Sequence, residues 1–273
     1  MTPAADDAVL GTRVFVLAGG DGAPAFLLSD LHVPAGGGAV VDALAAWLSC
    51  ARDRRARVFV LGDLFDSYVS ARQLRVGVWR DVADLFARAV HAGVELHVLH
   101  GNRDFLLGRE FEAATGGRVV PGGIRCRLAG RSALLLHGDE LCQNDLPYQR
   151  AKRWLRSRPV RALARCLPLR TSLALAERAR RRSREVVASG DQARFAPTAA
   201  AVGAAFANGV DLLVFGHIHR PARGPFAAGE YCVLPAFDAD GTGLFADAGE
   251  LTYAQCRDRA VQRQPDPPPR TFA

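Results

Sequence analysis

Short apolar runs alternate along the chain with longer stretches in which apolar residues recur every three or four positions, a pattern that predicts strands separated by helices. Residues 13–18 and 25–29 are two apolar runs around Gly19-Gly20-Asp21-Gly22 and predict a hairpin-like pair of strands. No Lys-Ser/Thr follows those glycines, so they mark a turn rather than a phosphate cradle. After a flexible segment, 34–38, a helix over about 40–52 places Val41, Leu44, Ala45 and Leu48 on one face. A β-branched strand at 58–61, a helix over 73–92, a buried strand at 94–99 and a helix over 108–115 follow. Residues 125–128 and 132–136 predict a hairpin around Gly130. A small-residue helix at 199–208 leads to a strand at 212–215, and 231–235, 243–247 and 250–256 predict closing strands. The result is an α/β chain with antiparallel strands at both ends, consistent with two packed sheets flanked by helices.

Charge adds a second region. The chain of 273 residues carries +7 overall, but the segment 150–184 alone carries +12, which leaves −5 for the remainder. A basic helical cap, 146–189, is therefore expected on a mildly acidic body formed by 1–145 and 190–260. The proline-rich stretch 261–273 is expected to be a disordered tail. Such a cationic insertion suits an anionic surface: lipid headgroups, nucleic acid or a phosphorylated substrate. Val160, Leu163, Ala164 and Leu167 fall on one side of a helix with Arg161 and Arg165 on the other, and Leu173, Leu175 and Ala176 extend the apolar side. A basic amphipathic helix can rest on lipid; it can equally pack on its own body. No run of about 20 apolar residues exists to span a membrane, and residues 1–7 lack the features of a secretory signal. The six cysteines show no CxxC spacing and are expected to be reduced thiols of a cytosolic protein.

The candidate chemistry stands at strand ends. Five predicted strands end in Asp30-x-His32, Gly62-Asp63, Gly101-Asn102, His137-Gly138 and Gly216-His217-Ile218-His219. Side chains at i and i+2 of an extended backbone face the same way, so Asp30 with His32, and His217 with His219, can share a pocket. The neighbouring glycines permit sharp turns. Seven ligands are too many for one ion with an open position; they suit two ions sharing a carboxylate, as in two-metal phosphoryl transfer. His91 on a helix surface and His97 within a strand are expected to be structural, and His100 is ambiguous.

The blocks Ser29-Asp30-Leu31-His32, Leu61-Gly62-Asp63-Leu64-Phe65-Asp66, His100 to Gly108, His137 to Cys142 and Gly216 to Pro221 resemble the calcineurin-like metallophosphoesterases. The Asn-Arg-Asp-Phe-Leu-Leu-Gly block and the pattern Leu141, Cys142, Asp145, Tyr148, Gln149 resemble the branch that hydrolyses UDP-2,3-diacylglucosamine in lipid A synthesis. The resemblance covers about 26–221. It implies a four-layer α-β-β-α sandwich of two mixed sheets with a helical cap. It implies two divalent ions, manganese in the family: one on Asp30, His32, Asp63 and His219, the other on Asp63, Asn102, His137 and His217. Asp63, Asn102, Arg103 and His217 would be catalytic. Asn102, Arg103, Asp145, Tyr148, Ser183 and His217 would contact a UDP-linked acylated glucosamine, releasing UMP and 2,3-diacylglucosamine 1-phosphate. The implied location is the cytoplasmic face of the inner membrane, peripherally bound to its anionic surface, with no nucleic-acid partner. Arg103 stands where generic superfamily members carry a histidine acid; a guanidinium is a poor acid but a good diphosphate clamp. One role open to Asp104 is to orient Arg103.

The chain departs from the branch at Val187 and Gly190, where relatives carry Asn and Lys contacts, and at Ser67-Tyr68-Val69-Ser70. These departures surround the sugar and acyl site. They keep a second reading open: a phosphoesterase of this fold acting on another nucleotide-diphosphate conjugate or phosphodiester. A two-metal nuclease would use the arginines but leaves the apolar face of the cap unexplained. A non-catalytic scaffold could shed ligands, whereas all seven are present.

Overall fold

The computed structural model describes residues 8–272, apart from 21, 190, 191 and 208. In chain order the strands are β1 (Ala8–Val9), β2 (Thr12–Val16), β3 (Ala25–Leu28), β4 (Arg57–Val60), β5 (Glu95–Leu99), β6 (Arg118–Val120), β7 (Gly123–Leu128) and β8 (Arg131–Leu135). After the cap come β9 (Leu212–Phe215), β10 (Ala222–Phe226), β11 (Gly229–Val233), β12 (Gly243–Asp247), β13 (Glu250–Arg257) and β14 (Ala260–Arg263). The α-helices are α1 (Ala39–Arg54), α2 (Gly77–His91), α3 (Arg109–Thr115), α4 (Leu146–Leu155), α5 (Arg158–Cys166), α6 (Leu169–Ser189), α7 (Ala199–Ala205) and α8 (Phe237–Asp240).

Among the described residues the strands form two seven-stranded mixed sheets, ordered β1-β2-β7-β8-β9-β11-β10 and β14-β13-β12-β3-β4-β5-β6. The two-residue period sorts side chains between layers. In β3, Ala25 and Leu27 enter the core between the sheets, with Phe59, Leu61, Leu135 and Val214. Phe26 and Leu28 face the other way, against Trp47 of α1 and Phe86 of α2. On the far side of the first sheet, Leu134, Leu213 and Phe215 pack with Val202 of α7. Helices therefore flank two sheets, in four layers. Each buried large apolar side chain contributes roughly 1.5–3 kcal/mol.

Connectivity places the chemistry. β3, β4 and β5 are adjacent and parallel, and in the facing sheet β8 and β9 are parallel neighbours. The carboxyl ends of all five strands thus deliver their following residues to one edge, the usual ligand crevice of open α/β sheets.

Three expectations are corrected. Residues 13–18 and 25–29 do not form a hairpin: β2 pairs with β1 and β7 in one sheet, while β3 lies in the other, so the glycine loop crosses between sheets. The helix expected over 73–92 is a 3-10 turn, Ala71–Arg75, followed by α2; the chain breaks at Val76, which is extended, and Gly77 opens α2 with φ 51°. The tail is not disordered within the described residues. β14 pairs with β13, and Phe272 is buried beside Phe215, Phe226 and Tyr231. Proline prevents ladder hydrogen bonds but not packing.

Candidate metal centre

The strand-end residues do not stay extended. Asp30, His32, Asp63, His217 and His219 all have left-handed backbones, with φ between 42° and 68°. That region is costly for residues with a Cβ and persists only where the surroundings enforce it. Asp30 N donates to Gly62 O at 3.2 Å, His32 N to Asp63 O at 2.9 Å and Val33 N to Leu64 O at 3.0 Å. The expected i, i+2 projection from an extended strand is therefore replaced by a series of tight turns that aim the same side chains inward. Two glycines serve close approach rather than turning. A Cβ at Gly101 would lie 2.0 Å from Asp63 Oδ1, and one at Gly216 would lie 2.0 Å from Ser29 Oγ.

Asp63 sits between two groups of donors. Its Oδ2 lies 3.2 Å from His32 Nε2, and its Oδ1 lies 3.9 Å from His137 Nε2. On the first side, Asp30 Oδ1 is 3.9 Å from His32 Nε2 and 3.3 Å from His219 Nε2. On the second, His137 Nε2 is 3.1 Å from Asn102 Oδ1, and the rings of His137 and His217 are 5.0 Å apart. The ligand atoms of Asp30, His32 and His219 lie within 4.8 Å of one another, as do those of Asp30, Asp63 and His137. All seven sequence-predicted ligands are thus brought to one place.

The donor set fits divalent cations. Asp30 Oδ2 accepts from Ser29 Oγ and His217 N, while Oδ1 is buried and has no partner in hydrogen-bond geometry. Buried carboxylate oxygens without partners are costly, and a cation would satisfy this one. The distal ring nitrogens are already held: His32 Nδ1 lies 3.2 Å from Asp238 Oδ2, and His137 Nδ1 2.8 Å from Leu61 O. Such contacts orient a metal-ligating imidazole.

The electrostatics agree. Burial alone would raise Asp30, yet the neighbouring imidazoles of His219, His137 and His32 hold its carboxyl well below the usual range. Asp63 is held low in the same way, against burial, by His137 and His32. Burial disfavours charge on His32, but Asp238 and Asp63 outweigh it and push the imidazole up to about 9. His137 is likewise raised, Asp63 and Asp30 outweighing burial. The carboxylates therefore draw positive charge inward. His217 is pushed down to about 4 by burial and by His137, which favours the neutral ring a metal needs.

Next to these residues lies a cavity of about 460 Å³, lined by Asp63, Asn102, Arg103, Tyr148, Ser183 and His217, among others. That volume suits a small-molecule site. Arg103 N donates to Asp63 Oδ1 at 2.9 Å, and its guanidinium meets Asp66 at 2.6 Å. Arg180 of α6 binds the same Asp66, so the cap is tied to the site's rim. Tyr148 presents its ring to His217 at 6.5 Å and turns its hydroxyl to Asp139, 2.5 Å away. Asp145 caps α4 and is held by Arg194 Nη2 at 2.6 Å. Asp104 does not orient Arg103. It is buried and accepts from Leu64 N and Gly101 N, joining the loops after β4 and β5. His100 is buried with Nε2 near Leu107 O. Gly190 lies outside the described residues, and Val187 has no described side chain.

Sequence reasoning missed Asp238, Asp139 and Arg194. Asp238 partners a residue 206 positions away, with no glycine or histidine beside it to flag it. Asp139 accepts from Tyr148 and lies 2.9 Å from Lys152 Nζ; its place in the His137-Gly138-Asp139 block was the available signal.

A family model described as calcineurin-like phosphoesterase matches residues 23–221. The chain is 38% identical to a UDP-2,3-diacylglucosamine hydrolase from Ralstonia nicotianae, covering 80% of this chain and 85% of that one. It is 34% identical to the protein of the same name from Stenotrophomonas maltophilia, covering 81% and 94%. With the one from Bordetella pertussis it shares 33% identity over 80% and 86%.

Proposed function

The chain belongs to the calcineurin-like phosphoesterases and, within them, to the UDP-2,3-diacylglucosamine hydrolases, and on that premise we propose that it hydrolyses UDP-2,3-diacylglucosamine to UMP and 2,3-diacylglucosamine 1-phosphate. The observation that carries the reading is Asp63, buried between two groups of nitrogen and oxygen donors and facing one with each carboxylate oxygen.

Asp30, His32, Asp63 and His219 would hold one divalent ion, and Asp63, Asn102, His137 and His217 a second. The mixed nitrogen and oxygen set suits manganese, iron or zinc; manganese is the choice for this family. When bound, the pair supplies positive charge to the phosphoryl oxygens and activates water for in-line displacement.

The chain's own residues then have separate tasks. Asp238 and Leu61 O fix the rings of His32 and His137, so Nε2 of each faces Asp63. Arg103 is held at the cavity edge by Asp66 and by its own backbone bond to Asp63. Its guanidinium stabilises charge on the diphosphate without giving up a proton. None is needed, because the departing phosphate is already a weak base. Asn102 and His217 line the cavity and would serve the second ion and the substrate alike, while Tyr148, Asp145 and Ser183 line the same cavity.

The cap takes the lipid. Among the described residues, six of the seven exposed large hydrophobics lie on α4, α5 or α6: Leu146, Trp154, Leu155, Leu163, Leu175 and Val186. Four of them, Trp154, Leu155, Leu163 and Leu175, stand among the arginines of the +12 segment. Large apolar side chains left exposed on one part of a molecule mark a candidate interaction surface, and basic amphipathic helices settle on anionic bilayers. No described helix is long and apolar enough to cross a membrane. The assignment is a peripheral contact with the cytoplasmic face of the inner membrane.

The test is to incubate the purified chain with Mn²⁺ and UDP-2,3-diacylglucosamine and to follow UMP. Release of UMP is expected. No UMP, together with turnover of a different nucleotide diphosphate, would overturn the substrate assignment and leave the phosphoesterase chemistry standing.

A further inference from the structure

We infer that Arg270, three residues from the end of the sequence, is a substrate-binding residue that takes a phosphoryl oxygen of the diphosphate in the cavity beside the metal ligands. The inference rests on the reading of the cavity as a nucleotide-diphosphate site.

The segment 264–272 has no regular structure, yet it is fastened at several points. Gln264 N donates to Tyr253 O at 2.7 Å. Asp266 meets Arg223 Nη1 at 3.1 Å through both carboxylate oxygens. Pro269 packs over Gly224, where a Cβ would come within 3.0 Å of it. At Arg270 the backbone is gripped twice by one hydroxyl: its N–H donates to Tyr231 Oη at 2.6 Å, and Tyr231 Oη donates to its carbonyl at 2.9 Å. Phe272 then enters the core, with ring centroids 4.7 Å from Tyr231 and 5.8 Å from Phe226. The backbone of residue 270 is thus fixed by contacts independent of its own side chain. That side chain lines the same cavity as Asp63, Asn102 and Arg103.

Its polar atoms are the reason to assign a ligand. Arg103 and Arg180 are bound to Asp66, and Arg194 to Asp145. Arg270 makes no ion pair among the described residues, and its Nη1 is buried with no hydrogen-bond partner. Among the described side chains lining the cavity, it alone has such a nitrogen. A buried guanidinium nitrogen without a partner is costly. A small rotation toward an anion in the cavity would satisfy it. Three further arginines, Arg103, Arg184 and Arg220, line the same cavity, against the two carboxylates of Asp63 and Asp145. A guanidinium fork matches the oxygens of a phosphate, and a neutral sugar hydroxyl would not neutralise it. A role in holding the tail is already filled by Tyr231, Phe272 and Asp266.

The test is calorimetric titration of UDP into the full chain with Mn²⁺, for wild type, Arg270→Gln and Arg270→Lys, with a thermal melt of each. The loss of one charged hydrogen-bonding partner is expected to raise the UDP Kd on the order of 10-fold or more in Arg270→Gln. Arg270→Lys should recover part of that loss, with Tm held in both variants. Phe272→Ala supplies the structural comparison and should lower Tm. A Kd within about twofold of wild type in Arg270→Gln, a wild-type chain that binds no UDP, or a Tm loss in Arg270→Gln equal to that of Phe272→Ala would each overturn the assignment. UDP binding that depends on Arg270, in a chain that releases no UMP from the acylated substrate, would support this inference while refuting the lipid substrate.

Discussion

Asp30, Asp63 and His137 are each no more than 2% exposed, and their loops are stitched by backbone hydrogen bonds. Trp154 and Leu163, on the cap, are 66% and 63% exposed. The metal-binding edge stores its free energy in buried polar groups that need each other and a cation. The cap keeps apolar side chains in water, where they can gain only from a partner. On the proposed reading, one region is rigid before substrate arrives and the other is completed by it. The two regions meet at a few ion pairs, chiefly Arg180 on Asp66 and Lys152 on Asp139.

The most severe break in the rigid region is Asp63→Asn, which removes the charge shared by both donor groups. Turnover of any phosphoester should fall by about 10³-fold or more, measured under saturating Mn²⁺; retained activity would refute the shared carboxylate. Next is Gly101→Ala. The added methyl has nowhere to go beside Asp63, so a stability loss of roughly 2–3 kcal/mol is expected from overpacking, seen as a lower denaturation midpoint, along with loss of metal binding. At the junction, Asp139→Asn removes the buried charge that faces both Lys152 and Arg156, leaving Lys152 only its longer contact to Glu140. A cost of about 3 kcal/mol is expected, and limited proteolysis should cut within 146–189 before the body. Simultaneous cutting of both would show that the cap does not loosen separately. The smallest effect belongs to the exposed face. Leu163→Ser with Leu175→Ser should leave the melting curve in place and raise KM for the acylated substrate roughly 10-fold, from lost apolar contact.

The ligand blocks were legible because each is short: a strand, a turn and one or two donors, all within a few residues. Two packed sheets flanked by helices followed from apolar runs alternating with helical stretches, and the four-layer order from the family resemblance; in β3, apolar throughout, only the structure sorts Ala25 and Leu27 to one face and Phe26 and Leu28 to the other. Long-range choices were not legible. Nothing local says that the Gly19 to Gly22 loop crosses from one sheet to the other, or that β6, β10 and β14 exist as short edge pieces. Proline content at 265–269 correctly excludes a strand there, but it carries no information about the groove at Gly224 or the hydroxyl of Tyr231 that hold the segment. Asp238 was invisible for the same reason: its value depends on His32, which only the fold brings near. The role of Asp104, open in the sequence, is settled by the fold: its carboxylate is taken by two backbone N–H groups and not by Arg103.

The contrast between a rigid metal edge and a cap completed by lipid is tested most directly by one ratio. It is kcat/KM for UDP-2,3-diacylglucosamine divided by kcat/KM for a small chromogenic phosphodiester, compared between the wild type and the chain carrying Leu163→Ser with Leu175→Ser. The ratio is expected to fall several-fold in the variant, because the acylated substrate loses contacts that the small diester never makes. An unchanged ratio would contradict it and place the cap's apolar face outside substrate recognition.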